Sequence, residues 1–192
     1  MSDMDIQRPD RPTLMRLDGV GTRARLPSLS GILHACVHAG ASVGFVAPFP
    51  REESDTWWEN SVLPAVERGE RVLLIAETGN TVVATGQLQL AQAPNQRHRA
   101  DVMKVLTHPS HRRRGHARTV MAELERIAFD KGKRTLTLDT RSGDAAEPLY
   151  RSLGYKVAGS IPGYARHPFE DQLEATTYMY KEISEATNVT LA

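Results

Sequence analysis

The sequence predicts a mixed α/β fold: a mostly antiparallel sheet that contains one parallel pair of strands. Three observations carry this. Two apolar runs, Arg71–Thr78 and Thr81–Ala91, are separated only by Gly79-Asn80, the two-residue turn of a β-hairpin. Val102–Leu106 is followed by a basic loop, a helix-patterned segment over 119–131 and a strand over 134–140. A crossover of that length makes its two strands parallel and the connection right-handed. Finally, Tyr155–Ser160 and Glu174–Ile183 read as an antiparallel closing pair.

Composition bounds the class. The chain has 192 residues, 40% hydrophobic and 24% charged, which suits one ordinary globular domain. A formal net charge of +1 argues against a general polyanion binder. A single cysteine, Cys36, excludes an intrachain disulfide and a cysteine-based zinc site. No apolar run reaches the roughly 18 residues of a membrane span. Asp3, Asp5, Arg8 and Pro9 break any signal-peptide pattern, so a cytoplasmic location is expected.

In chain order, residues 1–12 are polar and Pro-bearing and read as a mobile tail. Thr13–Leu17 is a first strand closed by Asp18-Gly19. A helix is expected to begin at Pro27-Ser28, capped by Ser28 or Ser30, with Leu29, Ile32, Leu33, Cys36 and Val37 buried and Gly40 ending it. Cys36 on that stripe reads as a small buried hydrophobe. His34 and His38 lack a third ligand, so no metal site is expected. A second helix is expected over 54–68. Trp57 and Trp58 cannot both face one core, because adjacent residues point in different directions. A long loop, 161–173, joins the last two strands. One domain over 13–183 is expected, with 184–192 as a second tail.

The organising stretch is Val102–Arg118, VMKVLTHPSHRRRGHAR. Pro109 ends the strand. Gly115 lets a ligand approach the backbone closely, and small Ala117 does nearly the same. The first N–H groups of the next helix have no intrahelical partner and, with the helix dipole, seat a phosphate. Arg-x-x-Gly-x-Ala after a strand resembles the acetyl-CoA signature of the GNAT N-acetyltransferase superfamily. Pro148–Tyr155, PLYRSLGY, resembles that superfamily's closing motif. GASVGF at 40–45, the segment 99–118, LDTRSGDAAEPLY at 138–150 and IPGYA at 161–165 are similar to the tabtoxin-resistance acetyltransferase group.

That resemblance implies the GNAT fold, with helices on both sheet faces and the parallel strands splayed apart. It implies acetyl-CoA as co-substrate, with no metal. Its pantetheine arm would pair with Val105, Leu106 and Thr107. Its pyrophosphate would rest on the loop Arg112, Arg113, Arg114, Gly115, His116, Ala117 and Arg118. Tyr150 is expected to protonate the departing thiolate: a phenol of pKa about 10 can supply a thiolate whose conjugate acid lies near 8.5. Asp139 and Asp101, on neighbouring strands, are the candidates to hold the acceptor ammonium and take its proton. The resembled group usually carries the longer Glu at the first place, so Asp101 would work through water. Superfamily members often carry an Asn seven residues before this Tyr. Gly143 stands there in this chain, so that contact is not expected.

The expected acceptor is a small-molecule amine, amino-acid-like or antibiotic- or toxin-like. Ser42, Trp58, Gln87, Asp139 and Tyr164 are expected at its pocket, with Trp57, Gln89 and His167 near it. Acetylation of protein amines and an idle acetyl-CoA sensor are the alternatives. A nucleic-acid module is disfavoured by the lone basic cluster, and a P-loop hydrolase by the absence of Gly-Lys-Ser/Thr after the glycine. The chain is expected to be a monomer or homodimer that binds neither nucleic acid nor membrane.

Overall fold

The computed structural model describes residues 11–184. The expected tails lie outside the described residues, except for Arg11, Pro12 and Ser184. Seven strands form one sheet: β1 (Thr13–Leu17), β2 (Arg71–Thr78), β3 (Thr81–Leu90), β4 (Arg99–Thr107), β5 (Thr135–Arg141), β6 (Lys156–Arg166) and β7 (Leu173–Glu182). Their order is β1-β2-β3-β4-β5-β7-β6, antiparallel throughout except for β4 beside β5.

The sheet is covered on both faces, so β2 reads as a continuous apolar run rather than an alternating one. Val72, Leu74 and Ala76 enter one core with Leu88, Val102 and Leu136. There they pack against Val120, Met121 and Leu124 of α4 (His116–Asp130). Leu73 and Ile75 enter the other core with Leu17, Val82 and Leu106. That face is closed by α1 (Gly19–His38) and by a helical stretch made of α2 (Arg51–Trp57), a π turn over Trp58–Val62 and α3 (Leu63–Glu67). Pro64 accounts for the π turn: it offers no N–H, and its ring crowds the carbonyl four residues back, which widens the helix there. The short α5 (Ala146–Ser152) follows β5.

Three expectations on local structure are corrected. Helix α1 starts at Gly19, well before Pro27. Asp18 is its cap, its carboxylate accepting from Gly21 N at 2.7 Å while Thr22 donates to the Asp18 carbonyl at 2.6 Å. Pro27 is carried inside the helix, and its carbonyl is taken by the Arg51 guanidinium at the head of α2. The second helix likewise starts earlier, at Arg51. The long loop expected over 161–173 is mostly strand: β6 runs to Arg166 and β7 resumes at Leu173. Register shifts at Val157/Gly159 and Ile161/Ala165 absorb Pro162 and Gly163, which an edge strand tolerates.

Candidate active site

The site follows from how β4 and β5 part. They pair only at Arg99–Thr135, Ala100–Leu136 and Asp101–Thr137, then diverge while both continue. Beyond Asp101, the β4 edge that faces β5 has no strand partner, and its main-chain groups can pair with an extended ligand. The cause of the bend is visible on the other side. The β3–β4 register shifts between Thr85 and Gln87, so that Gly86 faces two residues, Lys104 and Val105, and Lys104 takes φ 51°. A bulge of this kind bends the strand and turns its main chain towards the gap.

A cleft of about 670 Å³ fills the gap. At one end is the basic loop. Gly115 has φ 83°, a left-handed conformation that favours glycine, and a Cβ there would meet nothing within 4 Å. The N–H groups of His116, Ala117 and Arg118 open α4 and have no intrahelical acceptor. Arg112, Arg113, Gly115, His116, Ala117 and Arg118 all line the cleft, as do Val105, Leu106 and Thr107. Arg114 lies outside the lining, turned back towards the Ser110 carbonyl at 3.5 Å. Cys36, expected as plain core, also reaches the lining, its thiol donating to Thr107 O at 3.4 Å. Burial pushes that thiol up, with Arg112 opposing.

Tyr150 projects from α5 into the middle of the cleft wall and is 8% exposed. Burial, helped by the charges of Asp139 and Asp144, pushes its phenol up to about 12. It therefore keeps its proton at any ordinary working pH. Asp139, at the exposed end of β5, lines the same cleft. Asp101 stands apart, outside the lining. It occupies the last paired rung of β4, where its carboxylate accepts from Arg99 at 2.6 Å and from the Thr137 hydroxyl.

The other end is flanked by two segments. Ala39 to Gly44 line one wall and Tyr164 and Ala165 of β6 the other. They meet where Ala47 N donates to Pro168 O at 2.7 Å. A Cβ on Gly40 would sit 3.5 Å from the Phe169 ring. Ser42 and Tyr164 thus line the cleft as expected, but Trp58 and Gln87 do not. Trp58 is fully buried in the core under α1, while the adjacent Trp57 points elsewhere, half-exposed towards Phe45 and Lys104. Gln87 is fully buried beneath the Arg71 guanidinium, accepting from it at 3.2 Å. Lys104, Thr140, Arg141 and Asp144 are lining residues that the sequence reading passed over. For Lys104 the signal was present: one charge inside an otherwise apolar run. Among the described residues, no helix is long and apolar enough to cross a membrane, and no group of three or more His, Cys, Asp or Glu could hold a metal ion.

A splayed parallel pair, a glycine-opened basic loop at a helix N-terminus and a tyrosine thus line one cleft. Comparison with known proteins identifies the class. The acetyltransferase (GNAT) family model matches residues 36–155, and the chain belongs to that family. An uncharacterized N-acetyltransferase from the hisH-hisA intergenic region of Azospirillum brasilense is 28% identical over 138 residues, covering 71% of this chain and 79% of the relative. The yncA structure from Salmonella typhimurium, solved with its cofactor acetyl-CoA, superposes with a TM-score of 0.73 at 20% identity, over 92% of this chain and 96% of that one. A ribosomal-protein-alanine N-acetyltransferase from Brucella melitensis gives 0.72 at 22% identity, over 89% and 99%.

Proposed function

We propose that the protein transfers an acetyl group from acetyl-CoA to the primary amine of a small molecule by direct attack within a ternary complex. The observation that carries this reading is the single cleft in which Tyr150, Asp139, the unpaired β4 edge and the Gly115 loop converge. Acetyl-CoA supplies the thioester. Val105 to Thr107 offer main-chain partners to its extended arm. The helix N-terminus at His116–Arg118, with Arg112 and Arg113, offers N–H groups and positive charge to its phosphates. In this reading a main-chain N–H of β4 stabilises the oxyanion. Asp139 holds the acceptor ammonium and takes its proton, and Tyr150 donates to the departing thiolate. Asp101 acts through Thr137 and Arg99 rather than by touching the acceptor. Holding the two reactants together supplies much of the rate on its own.

A small acceptor fits better than a protein chain. The hydrogen bond from Ala47 to Pro168 joins the two segments that flank the acceptor end and so narrows the room for an extended peptide. The sequence likeness to the tabtoxin-resistance group supports an amino-acid-like acceptor. The test is free-thiol release from acetyl-CoA with a panel of amino acids, β-lactam amino-acid analogues, aminoglycosides and lysine peptides. Turnover with one small amine, lost in Asp139→Asn and reduced in Tyr150→Phe, is the expected result. Preference for the peptides overturns the acceptor class, and tight acetyl-CoA binding without turnover on any amine overturns the transferase reading.

A further inference from the structure

The cleft contains a lysine that forms no ion pair among the described residues. Lys104 leaves the β4 bulge and lies under the 40–45 loop, where its Nζ donates to Val43 O at 2.6 Å. The same nitrogen lies 5.8 Å from the Phe45 ring centroid and 5.6 Å from that of Trp57. One carbonyl uses one of its three donors. The ion pairs among the described residues engage other cations, and none includes Lys104. The other lining cations are provided for. Arg141 faces Asp144 at 3.6 Å and Glu174 at 3.4 Å, Arg118 donates to Ser152 at 2.6 Å, and Arg112 and Arg113 sit at the phosphate end. A half-buried ammonium with no counter-charge at ion-pair distance is unfavourable unless something supplies one. Burial lowers the Lys104 pKa, the more distant charge of Asp139 opposes this, and Arg71 adds to it.

We infer that Lys104 selects the acceptor by receiving a carboxylate carried on the same molecule as the reacting amine. This rests on the acetyl-transfer reading above. Asp139 and Lys104 line one cleft with opposite charges, so a zwitterionic amino acid satisfies both: its ammonium meets Asp139 and its carboxylate meets the free donors of Lys104. A simple amine leaves Lys104 unanswered and gains nothing from it. The rings of Phe45 and Trp57 flank the ammonium and help fix its position. Lys104 is thereby a specificity residue, separate from the proton transfers assigned to Asp139 and Tyr150.

The experiment compares each amino acid with its carboxamide as acceptor, by thiol release, in wild type, Lys104→Met and Lys104→Arg. Wild type is expected to favour the acid by about tenfold or more in kcat/KM, the scale of one charge-assisted contact. In Lys104→Met the acid-to-amide ratio falls towards one, through KM, and Lys104→Arg restores part of it. A second readout needs no turnover: N-acetylglycine and N-acetylglycinamide are titrated calorimetrically into the CoA-bound enzyme. Absence of thiol release with every acceptor sinks the transferase reading, while the titration still reads the anion site. Equal binding of acid and amide, or binding of neither, overturns the role of Lys104. So does a Lys104→Met loss that falls on kcat equally for acids and amides. Should that variant fail to fold, the wild-type acid-to-amide comparison decides alone.

Discussion

Gly86 of β3 lies directly beneath Val120 of α4: a Cβ at position 86 would stand 2.7 Å from Val120 Cγ1 and 2.9 Å from Leu124 Cδ1. The absence of one carbon lets α4 settle on the sheet exactly where β4 bulges, and α4 carries the N–H groups at the phosphate end of the cleft. Gly86→Ala is expected to cost about 1–3 kcal/mol by overpacking. It should also raise the KM for acetyl-CoA, because the helix must move outward. Urea unfolding together with acetyl-CoA titration checks both. An unchanged midpoint and KM would mean that the helix shifts without cost.

Gly115 is conformationally constrained rather than sterically crowded. Its φ of 83° costs a residue with a Cβ about 1–2 kcal/mol. Gly115→Val is expected to lose that much stability and to weaken acetyl-CoA binding by roughly tenfold or more, since the new side chain enters the phosphate seat. Acceptor KM should stay near its wild-type value. Calorimetric titration with acetyl-CoA separates this from a general folding defect.

Tyr150→Phe is expected to lower kcat by about 10²-fold or more, the scale of a lost general acid, with little change in acetyl-CoA binding. Because burial pushes this phenol up to about 12, it brings no alkaline fall in wild-type activity below roughly pH 10, where a free phenol titrates. The same shift bears on stability. A folded-state pKa above the unfolded value gives a contribution that is fully present below about pH 10. It is lost as pH rises through about 12. Thermal melts between these values should therefore fall less steeply in Tyr150→Phe than in wild type. A parallel decline would show that Tyr150 is hydrated in the folded protein.

Behind Tyr150 lies a buried ion pair. Lys181 of β7 meets Glu125 of α4 at 2.6 Å, and the two side chains are 11% and 3% exposed. Tyr155 lies beside them, with Lys181 Nζ 5.7 Å from its ring centroid and the Tyr150 ring 6.0 Å away on the other side. Removing one partner of such a pair costs roughly 3–5 kcal/mol, because a charge is left buried alone. Lys181→Met should show that loss, and the double variant with Glu125→Gln should recover much of it. Burial already raises the Glu125 pKa against the pull of Lys181. A raised carboxyl contributes most below its unfolded pKa and loses that contribution as pH rises through the folded value. Without Lys181 the shift grows, so the variant should lose stability more steeply than wild type from mildly acidic to neutral pH. Unfolding curves across that range, equal in slope for both proteins, would contradict this.

Much of the fold, and many of the residues that line the cleft, were legible in the sequence for identifiable reasons. Gly79-Asn80 between two apolar runs specifies a hairpin locally, and β2 and β3 form it. Arg-x-x-Gly-x-Ala is likewise a local signal: a glycine at positive φ and the free N–H groups of the helix that follows it lie within a few residues. The errors fell where a distant partner decides. Pro27 reads as a helix start, but Asp18 caps an earlier turn and Arg51, from the next helix, takes the Pro27 carbonyl. Pro162 and Gly163 read as a loop, but β7 pairs across them with a register shift. Trp57 and Trp58 are indistinguishable in sequence. Packing against α1 and the sheet distinguishes them, with Trp58 in the core.

What the sequence determined by itself is the kind of chemistry and its order along the chain: a strand, a glycine-opened basic loop, a helix, a second strand and then a tyrosine. Local rules suffice there, since turn geometry, helix capping and hydrophobic period act over a few residues. Only the tertiary structure decided which side chains share the cleft. The β4 bulge turned Lys104 into the cleft and the last paired rung held Asp101 out of it. A hydrogen bond from Ala47 to Pro168 joined the segments that flank one end. Those outcomes depend on strand register and on packing between segments far apart in the chain, and nearby residues do not encode them.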